Sequence, residues 1–378
     1  MSDTIDLNFK SDNVDFVISN TDILEFVYKE SIESLASYAI KVNLESYNGF
    51  NKFIRGDGFT DDFFELRISQ NIESENRVRQ ISSNWKRLEL LKAKQTPLSE
   101  FMEYEFSGLC RGNVLNRHIK NDGVWGNARV SDVITTLARD ISLTPDVDET
   151  LGRFDLSTAN RKTGNFIKSV LSPLAIAEAN TDWNFWVQDG RILKFKKVVS
   201  YNRSPLTMTD ALGVTSNQVV QLYETRFTKI ATDKTRLQGV GRAVDSLTDT
   251  IEDATTESID TEFSYLRNSK PRNVVRHNHY QLNTRIKNRN TSMQTRLANQ
   301  KLLDNAYTEK ARHLFQLVAR IDFNPQITPG VIYPVVIKRN ENEFSSASGL
   351  WLLHTVKHRI HHGYPETFVK LIKRWELV

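Results

Sequence analysis

Cysteine, proline and glycine are scarce in this 378-residue sequence: one Cys (Cys110), nine Pro and sixteen Gly. A lone cysteine excludes an internal disulfide, so stability must come from packing or assembly. Few Pro and Gly, with 39% hydrophobic and 25% charged residues, exclude a fibrous or disordered chain. No run of eighteen apolar residues occurs, which excludes a helical bilayer span. The opening "MSDTIDLNFKSDNVDFVISN" puts acidic and amide residues where a signal peptide needs a basic start and an apolar core, so no export signal is visible. Charge of one sign is also in short supply. A net charge of +4 is small for this length and demands no polyanionic partner.

Catalytic signatures are missing too. There is no G-x-S-x-G elbow, no G-x-x-x-x-G-K-[ST] phosphate loop and no G-x-G-x-x-G fingerprint. Gly239 and Gly241 in "QGVGRAV" read as a turn or bulge. Cys110 has no identifiable base and reads as a small buried residue rather than a nucleophile. Nothing singles out an acid pair for glycoside hydrolysis. The residues thus nominate no catalytic, cofactor-binding or metal-binding set.

What is present is strand periodicity at both ends. "YAIKVNLES" (38–46), "FELRISQ" (64–70) and "RLELLKAK" (87–94) alternate with period two, and "YNGF" and "RGDGFTDD" supply turns between the first two. The stretch "TDILEFVYKESIESLASYA" (21–39) reads as a short helical turn among these strands. From about residue 117 the period changes. "RVSDVITTLARDISL" predicts a helix N-capped by Ser131 with one buried stripe, and "GNFIKSVLSPLAIAEAN" predicts a second, kinked at Pro173. "WNFWVQDGRILKFKKV" predicts a hairpin turning at Asp189-Gly190. Residues 214–240 return to strand composition, 293–309 read as a helix, and "ARHLFQLVARIDF" and "VIYPVVIKR" read as strands around the turn "NPQITPG". The expected fold class is therefore α+β and β-rich, with a small α/β unit in the middle.

Residues 245–292 stand apart. "DSLTDTIEDATTESIDTE" carries seven acids and no Lys or Arg, whereas "RNSKPRNVVRHNHYQLNTRIKNR" carries seven Lys or Arg and no acid. So few apolar residues predict an extension that is mobile or ordered by a partner. The basic run 267–289, with Tyr280, His277 and His279 available to stack, raises a nucleic-acid-binding module as one alternative function.

Four of the eight histidines lie in "WLLHTVKHRIHHGYPETFVKLIKRW" (351–375). His354 and His358 have the i, i+4 spacing of a helical zinc motif, which raises a zinc-dependent or cell-wall hydrolase as the other alternative. Thr355, however, sits where the general-base Glu belongs, and Val356 and Ile360 favour a strand. The reading from the residues is a hairpin: a strand to about His361, a turn through "HGYPE" and a return strand, with the imidazoles at a strand surface or subunit contact.

The order of these pieces carries a resemblance. The aromatic-rich hairpin "NFWVQDG", the "ITPG" turn opening a strand, and the final V-x-H-x-I strand before a Thr-containing return strand together resemble the central baseplate hub protein of contractile-tailed bacteriophages of the T4-like type. The resemblance covers nearly the whole chain. It implies two tail-tube-like antiparallel β-barrel domains, one over 1–116 and one formed by 205–244 with 311–378. Between them it implies a small α/β domain over 117–204; the charged insertion and helix over 245–310 depart from that pattern, since the block 245–292 carries no motif that matches the family. It further implies a homotrimer in which six similar units ring a channel, joining a sixfold tail tube to a threefold central spike within the virion baseplate. Baseplate wedge and tape-measure proteins are further expected contacts, and DNA would pass through the lumen without specific binding. A basic lining would retard that transit, because each phosphate-neutralising cation adds affinity.

Overall fold

The computed structural model describes residues 4–11, 14–32, 34–44, 63–74, 77–98, 102–120, 123–158, 161–172, 174–175, 183–197, 200–204, 207–210, 221–229, 235–245, 251–258, 273–286, 315–336, 338–340, 343–344 and 348–372. The turns "YNGF" and "RGDGFTDD" and the helix expected at 293–309 lie outside these residues. The chain opens with β1 (Thr4–Ser11) and β2 (Val14–Ser19), and a 3-10 turn at Asn20–Asp22 leads straight into β3 (Ile23–Ser31). Then come β4 (Ser37–Leu44), β5 (Phe63–Ser74), β6 (Arg77–Ser82), β7 (Lys86–Pro97) and β8 (Met102–Cys110). The middle holds three short helices, α1 (Val114–Arg117), α2 (Val130–Asp140) and α3 (Thr163–Phe166). Among them run β9 (Val124–Arg129), β10 (Thr144–Val147), β11 (Arg153–Ser157), β12 (Trp183–Gln188) and β13 (Ile192–Lys197). The last part comprises β14 (Met208–Asp210), β15 (Gln221–Lys229), β16 (Thr235–Asp245), β17 (Ile251–Ser258), β18 (Asn273–Ile286), β19 (Phe315–Ile321) and β20 (Ile332–Val336). It ends with β21 (Lys338–Asn340), β22 (Glu343–Phe344), β23 (Gly349–His361) and β24 (Tyr364–Ile372).

Strands dominate, and fourteen of them belong to one hydrogen-bonded, mostly antiparallel sheet. Its pairings describe two circuits. In the first, β1 pairs β5, β5 pairs β7, β7 pairs β8, β8 pairs β4, β4 pairs β3, and β2, the direct forerunner of β3, pairs back to β1. In the second, β14 pairs β20, β20 pairs β23, β23 pairs β24, β24 pairs β19, β19 pairs β15, and β15 pairs back to β14. With β2 and β3 counted as one strand, the six strands of each circuit follow one another in the same order. Short extra strands, β6 in the first and β21–β22 in the second, fall at the same place in that order. The circuits differ at their first strand: β1 is antiparallel to both neighbours, whereas β14 is parallel to both. β23 also pairs β3 antiparallel, Thr355 to Ser31 through His361 to Glu25, which fuses the circuits.

Period-two burial builds each interior. Ile5, Leu7 and Phe9 of β1, Ile40 and Val42 of β4, and Leu66 and Ile68 of β5 share one core with Ile360 of β23. Leu317 and Ala319, Val335, Trp351 and Val356, and Val369 and Leu371 form the second. Within 21–39, where a helical turn was expected, only Thr21 and Asp22 close a 3-10 turn, and Ile23–Ser31 is strand. Phe26, Tyr28 and Glu30 are buried while Glu25 and Lys29 are exposed, so the in–out alternation of two pairing edges overrides local helical character.

The middle unit has its own core of Val133, Ile134, Leu137, Phe166, Leu171 and Phe195. Helix α2 starts at Val130, two residues before the Asp132 start that a Ser131 N-cap requires, with Arg129 at the cap; Ser131 N–H instead donates to Thr150 Oγ1 at 3.1 Å. A hydroxyl from a later segment thus serves a free helical donor. The second helix runs from α3 into a π-helical turn at Ile167–Leu171. β12 and β13 pair around Asp189 and Gly190, whose φ values of +53° and +65° are those of a type I′ turn.

β17 and β18 lie on either side of β16 in a separate three-stranded sheet. The sequence expected an extension here, but ladder hydrogen bonds need a neighbouring backbone rather than an apolar core. The boundary expected at 244 falls inside β16. Between Gly239 and Gly241 the register with β18 shifts, as a bulge requires.

Candidate functional site, a charged junction

Where the circuits meet the middle hairpin, the interior holds charge. Lys86 begins β7 in phase with buried Leu88, so its side chain points inward and is 1% exposed. Its Nζ lies 2.7 Å from Asp189 Oδ1, 3.6 Å from Glu30 Oε2 and 4.5 Å from the centre of the Tyr28 ring. Glu30 Oε1 accepts the Asp189 N–H at 3.1 Å, and Glu30 Oε2 accepts the Tyr28 hydroxyl at 3.2 Å. Asn84 Nδ2 donates to Asp189 Oδ2 at 3.2 Å. Burial raises the Glu30 carboxyl above the ordinary range against the pull of Lys86. Burial pulls Lys86 down, yet the Glu30 and Asp189 charges more than offset it and leave the ammonium raised. The cluster therefore favours the charged form of Lys86 at a position buried from solvent.

The type I′ turn is what delivers Asp189 there. Arg87 N–H donates to Asp189 O at 2.8 Å, and a Cβ at Gly190 would meet Arg87 O at 2.0 Å, so the tip of the hairpin lies directly on β7. The other end of the hairpin grips the second circuit. Trp186 packs with Tyr201, Ile332, Leu352 and Ile372, and a Cβ at Gly330 would sit 2.5 Å from its ring.

The histidines of the zinc alternative are interior residues. His354 and His358 lie on the inward side of β23, buried at 3% and 1% exposure while Lys357 and Arg359 of the same strand are half-buried, so neither imidazole is at the strand surface that was one of the two places expected for them. His358 Nδ1 meets Thr367 Oγ1 at 3.1 Å and His354 Nδ1 meets Thr355 Oγ1 at 2.8 Å. His358 stacks on Tyr28, with ring centres 6.4 Å apart, and meets the edge of Phe323 at 5.6 Å. Burial and the Lys86 charge pull its pKa down to about 3, so the ring is neutral. Along a strand the two imidazoles are roughly 13 Å apart, too far to share one ion. Among the described residues no group of three or more His, Cys, Asp or Glu could hold a metal. Cys110 is fully buried, and burial pushes its thiol up to about 12. His361 and His362 are exposed at the β23–β24 turn, where His362 and Gly363 have positive φ and the return strand begins earlier than expected, at Tyr364. Basic residues 273–286 lie in β18, and the rest of the 267–289 run lies outside the described residues.

The residues that form the junction were not nominated from sequence. A signal was there: Lys86 and Glu30 both occupy inward positions of alternating runs, where a charge is an anomaly unless paired.

No protein-family model matches the sequence, and no curated protein matches it. Solved structures do. The tail protein of Neisseria meningitidis MC58 matches with a TM-score of 0.60 at 8% identity, covering 98% of this chain and 96% of that one. The chain has the fold of a phage tail protein. The 43 kDa tail protein of prophage MuSo2 from Shewanella oneidensis matches at 0.61 and 9% identity over 97% and 98% of the two chains. An E. coli component of the type VI secretion system, structurally similar to the T4 tail proteins gp27 and gp5, matches at 0.52 and 10% identity over 97% and 77%. No helix among the described residues is long and apolar enough to cross a membrane.

Proposed function

We propose that the chain is a structural, non-enzymatic hub of a contractile-tail baseplate, in which three copies form a ring that passes for six. The observation that carries this reading is the pair of circuits with one strand order. A chain with two similar β units gives a threefold assembly six similar lobes, which lets one face meet a sixfold tail tube and the other a threefold central spike. The first unit corresponds to residues 1–116, the second to 205–244 with 311–378 less β16, and the small α/β unit, 117–204, braces both. The tail-protein fold supports the setting. Symmetry closes such a ring and covers strand edges that would otherwise be association hazards. Genomic DNA crosses the lumen, while wedge and tape-measure proteins are further contacts.

Light scattering of the purified chain, alone and with candidate tube and spike proteins, tests the reading. It predicts about three chains per particle and capture of both partners, as closed cyclic symmetry requires; a stable monomer that binds neither overturns it.

A further inference from the structure

The β3–β23 pairing carries the sheet from one circuit into the other, and outward charges on the two sides of that seam are arranged in two different ways. One row crosses β7, β8, β4 and β3 as Lys94, Glu105, Lys41 and Glu25, each directly opposite the next. Signs alternate there, as favourable cross-strand pairing requires. At the seam between the circuits the pattern breaks. Lys29 of β3 lies directly opposite Lys357 of β23, two cations on adjacent strands. Arg359 is the next outward residue of β23, and Lys370 of β24 lies opposite Thr355, the outward residue before Lys357. Lys29 is exposed and the other three are half-buried.

Nearby acids do not neutralise the group. Glu366 lies opposite Arg359 but is held by Arg320 at 3.0 Å, and Glu25, opposite His361, lies one outward step past Val27, the partner of Arg359. Further titratable groups on that side are His361 with Tyr364 opposite it, His362 at the turn, and Lys41 opposite Glu25. Lys357 Nζ finds the Phe368 ring at 5.8 Å, a partial relief by cation–π attraction. Like charges directly opposite destabilise a sheet. Four cations kept together at a seam, beside a row where signs alternate, indicate an anion that belongs on them.

We propose that this seam contacts the phosphate backbone of duplex DNA without reading its sequence. Outward positions about 7 Å apart along a strand and about 5 Å apart between strands suit a linear ligand carrying one charge per about 1.7 Å of axis. Phosphate contacts of this kind position a duplex and carry no sequence information. The inference uses the hub reading only as the source of the DNA. Its test works in any oligomeric state, so that failure here and failure of the trimer are separate results.

The experiment is fluorescence anisotropy of a labelled 16-base-pair duplex with the full chain over a salt series. The variant Lys29→Gln/Lys357→Gln/Arg359→Gln/Lys370→Gln should weaken binding at least about tenfold at low salt. It should also reduce the slope of log K against log salt by roughly 3 to 4. Lys270→Gln/Arg272→Gln/Arg276→Gln, in the basic run of the insertion, should leave both nearly unchanged. Without DNA, Lys29→Gln alone should raise the thermal midpoint, because it removes a like-charge pair. An unaltered slope in the quadruple variant, a loss that follows the insertion variant instead, a lower midpoint for Lys29→Gln, or preferential binding of poly-glutamate over DNA at these cations overturns the proposal.

Discussion

The hairpin β12–β13 touches both circuits, and it holds them by opposite chemistries. At its tip Asp189 enters the first circuit through polar contacts, its carboxylate 2.7 Å from Lys86 Nζ and its N–H donating to Glu30. Along its strand Trp186 meets the second circuit through apolar packing on Ile332, Leu352 and Ile372. Among the described residues, the buried Lys, Asp and Glu side chains belong to the first circuit and the hairpin tip, whereas the second circuit buries the polar residues Asn324, His354, His358 and Thr367. Two strand arrangements with one order thus differ in what they demand of a neighbour. A buried ion pair tolerates no loss of a single partner; an apolar contact degrades in proportion to the area removed.

Breaking the charged grip should have the largest effect. Lys86→Ala leaves two carboxyl groups buried without their cation and should cost about 3–5 kcal/mol in urea unfolding. Lys86→Met combined with Glu30→Gln and Asp189→Asn should recover much of that loss, because a neutral interior has no charge left to strand; no recovery would mean the residues act through shape rather than charge. The apolar grip should fail less sharply. Trp186→Ala should cost about 3 kcal/mol, at the low end for a large aromatic because its cluster is small. Gly330→Ala places a Cβ against the Trp186 ring at a φ of +81° and should cost about 2 kcal/mol. In the Trp186→Ala background the steric part should vanish, so the two changes should be non-additive in a double-mutant cycle.

The smallest effect separates the circuits by pH. His358 titrates near 6.5 in an unfolded chain and at about 3 in the fold. Below 6.5 the unfolded chain takes up a proton that the fold refuses, so stability is lost as pH falls through this window, by up to about 1.4 kcal/mol per pH unit. Glu30, raised by burial, acts in the opposite sense below its own folded pKa. Comparison of wild type with His358→Gln between pH 6.5 and 5 cancels the Glu30 contribution, and the variant should show the shallower slope. Equal slopes would mean that His358 is protonated in the fold.

Much of this architecture is legible in the sequence because period-two alternation survives wherever one strand face is dry. The runs at 38–46, 64–70 and 87–94 announce β4, β5 and β7, and Asp189-Gly190 announces its turn. The stretch 21–39 misleads because Glu30 and Tyr28 are polar at inward positions, which blurs the alternation that defines β3. The junction is hidden for a related reason: Lys86, Glu30 and Asp189 come from segments far apart in sequence, and only strand register brings them together. β16 joins the charged block through backbone pairing, which leaves no side-chain pattern to read.

A density map of the assembled particle, viewed along its axis, tests the central claim most directly. It should show three chains around one channel, with two lobes from each and the same six-strand order in every lobe. Any copy number other than three, or a ring in which only one circuit per chain faces the channel, contradicts it.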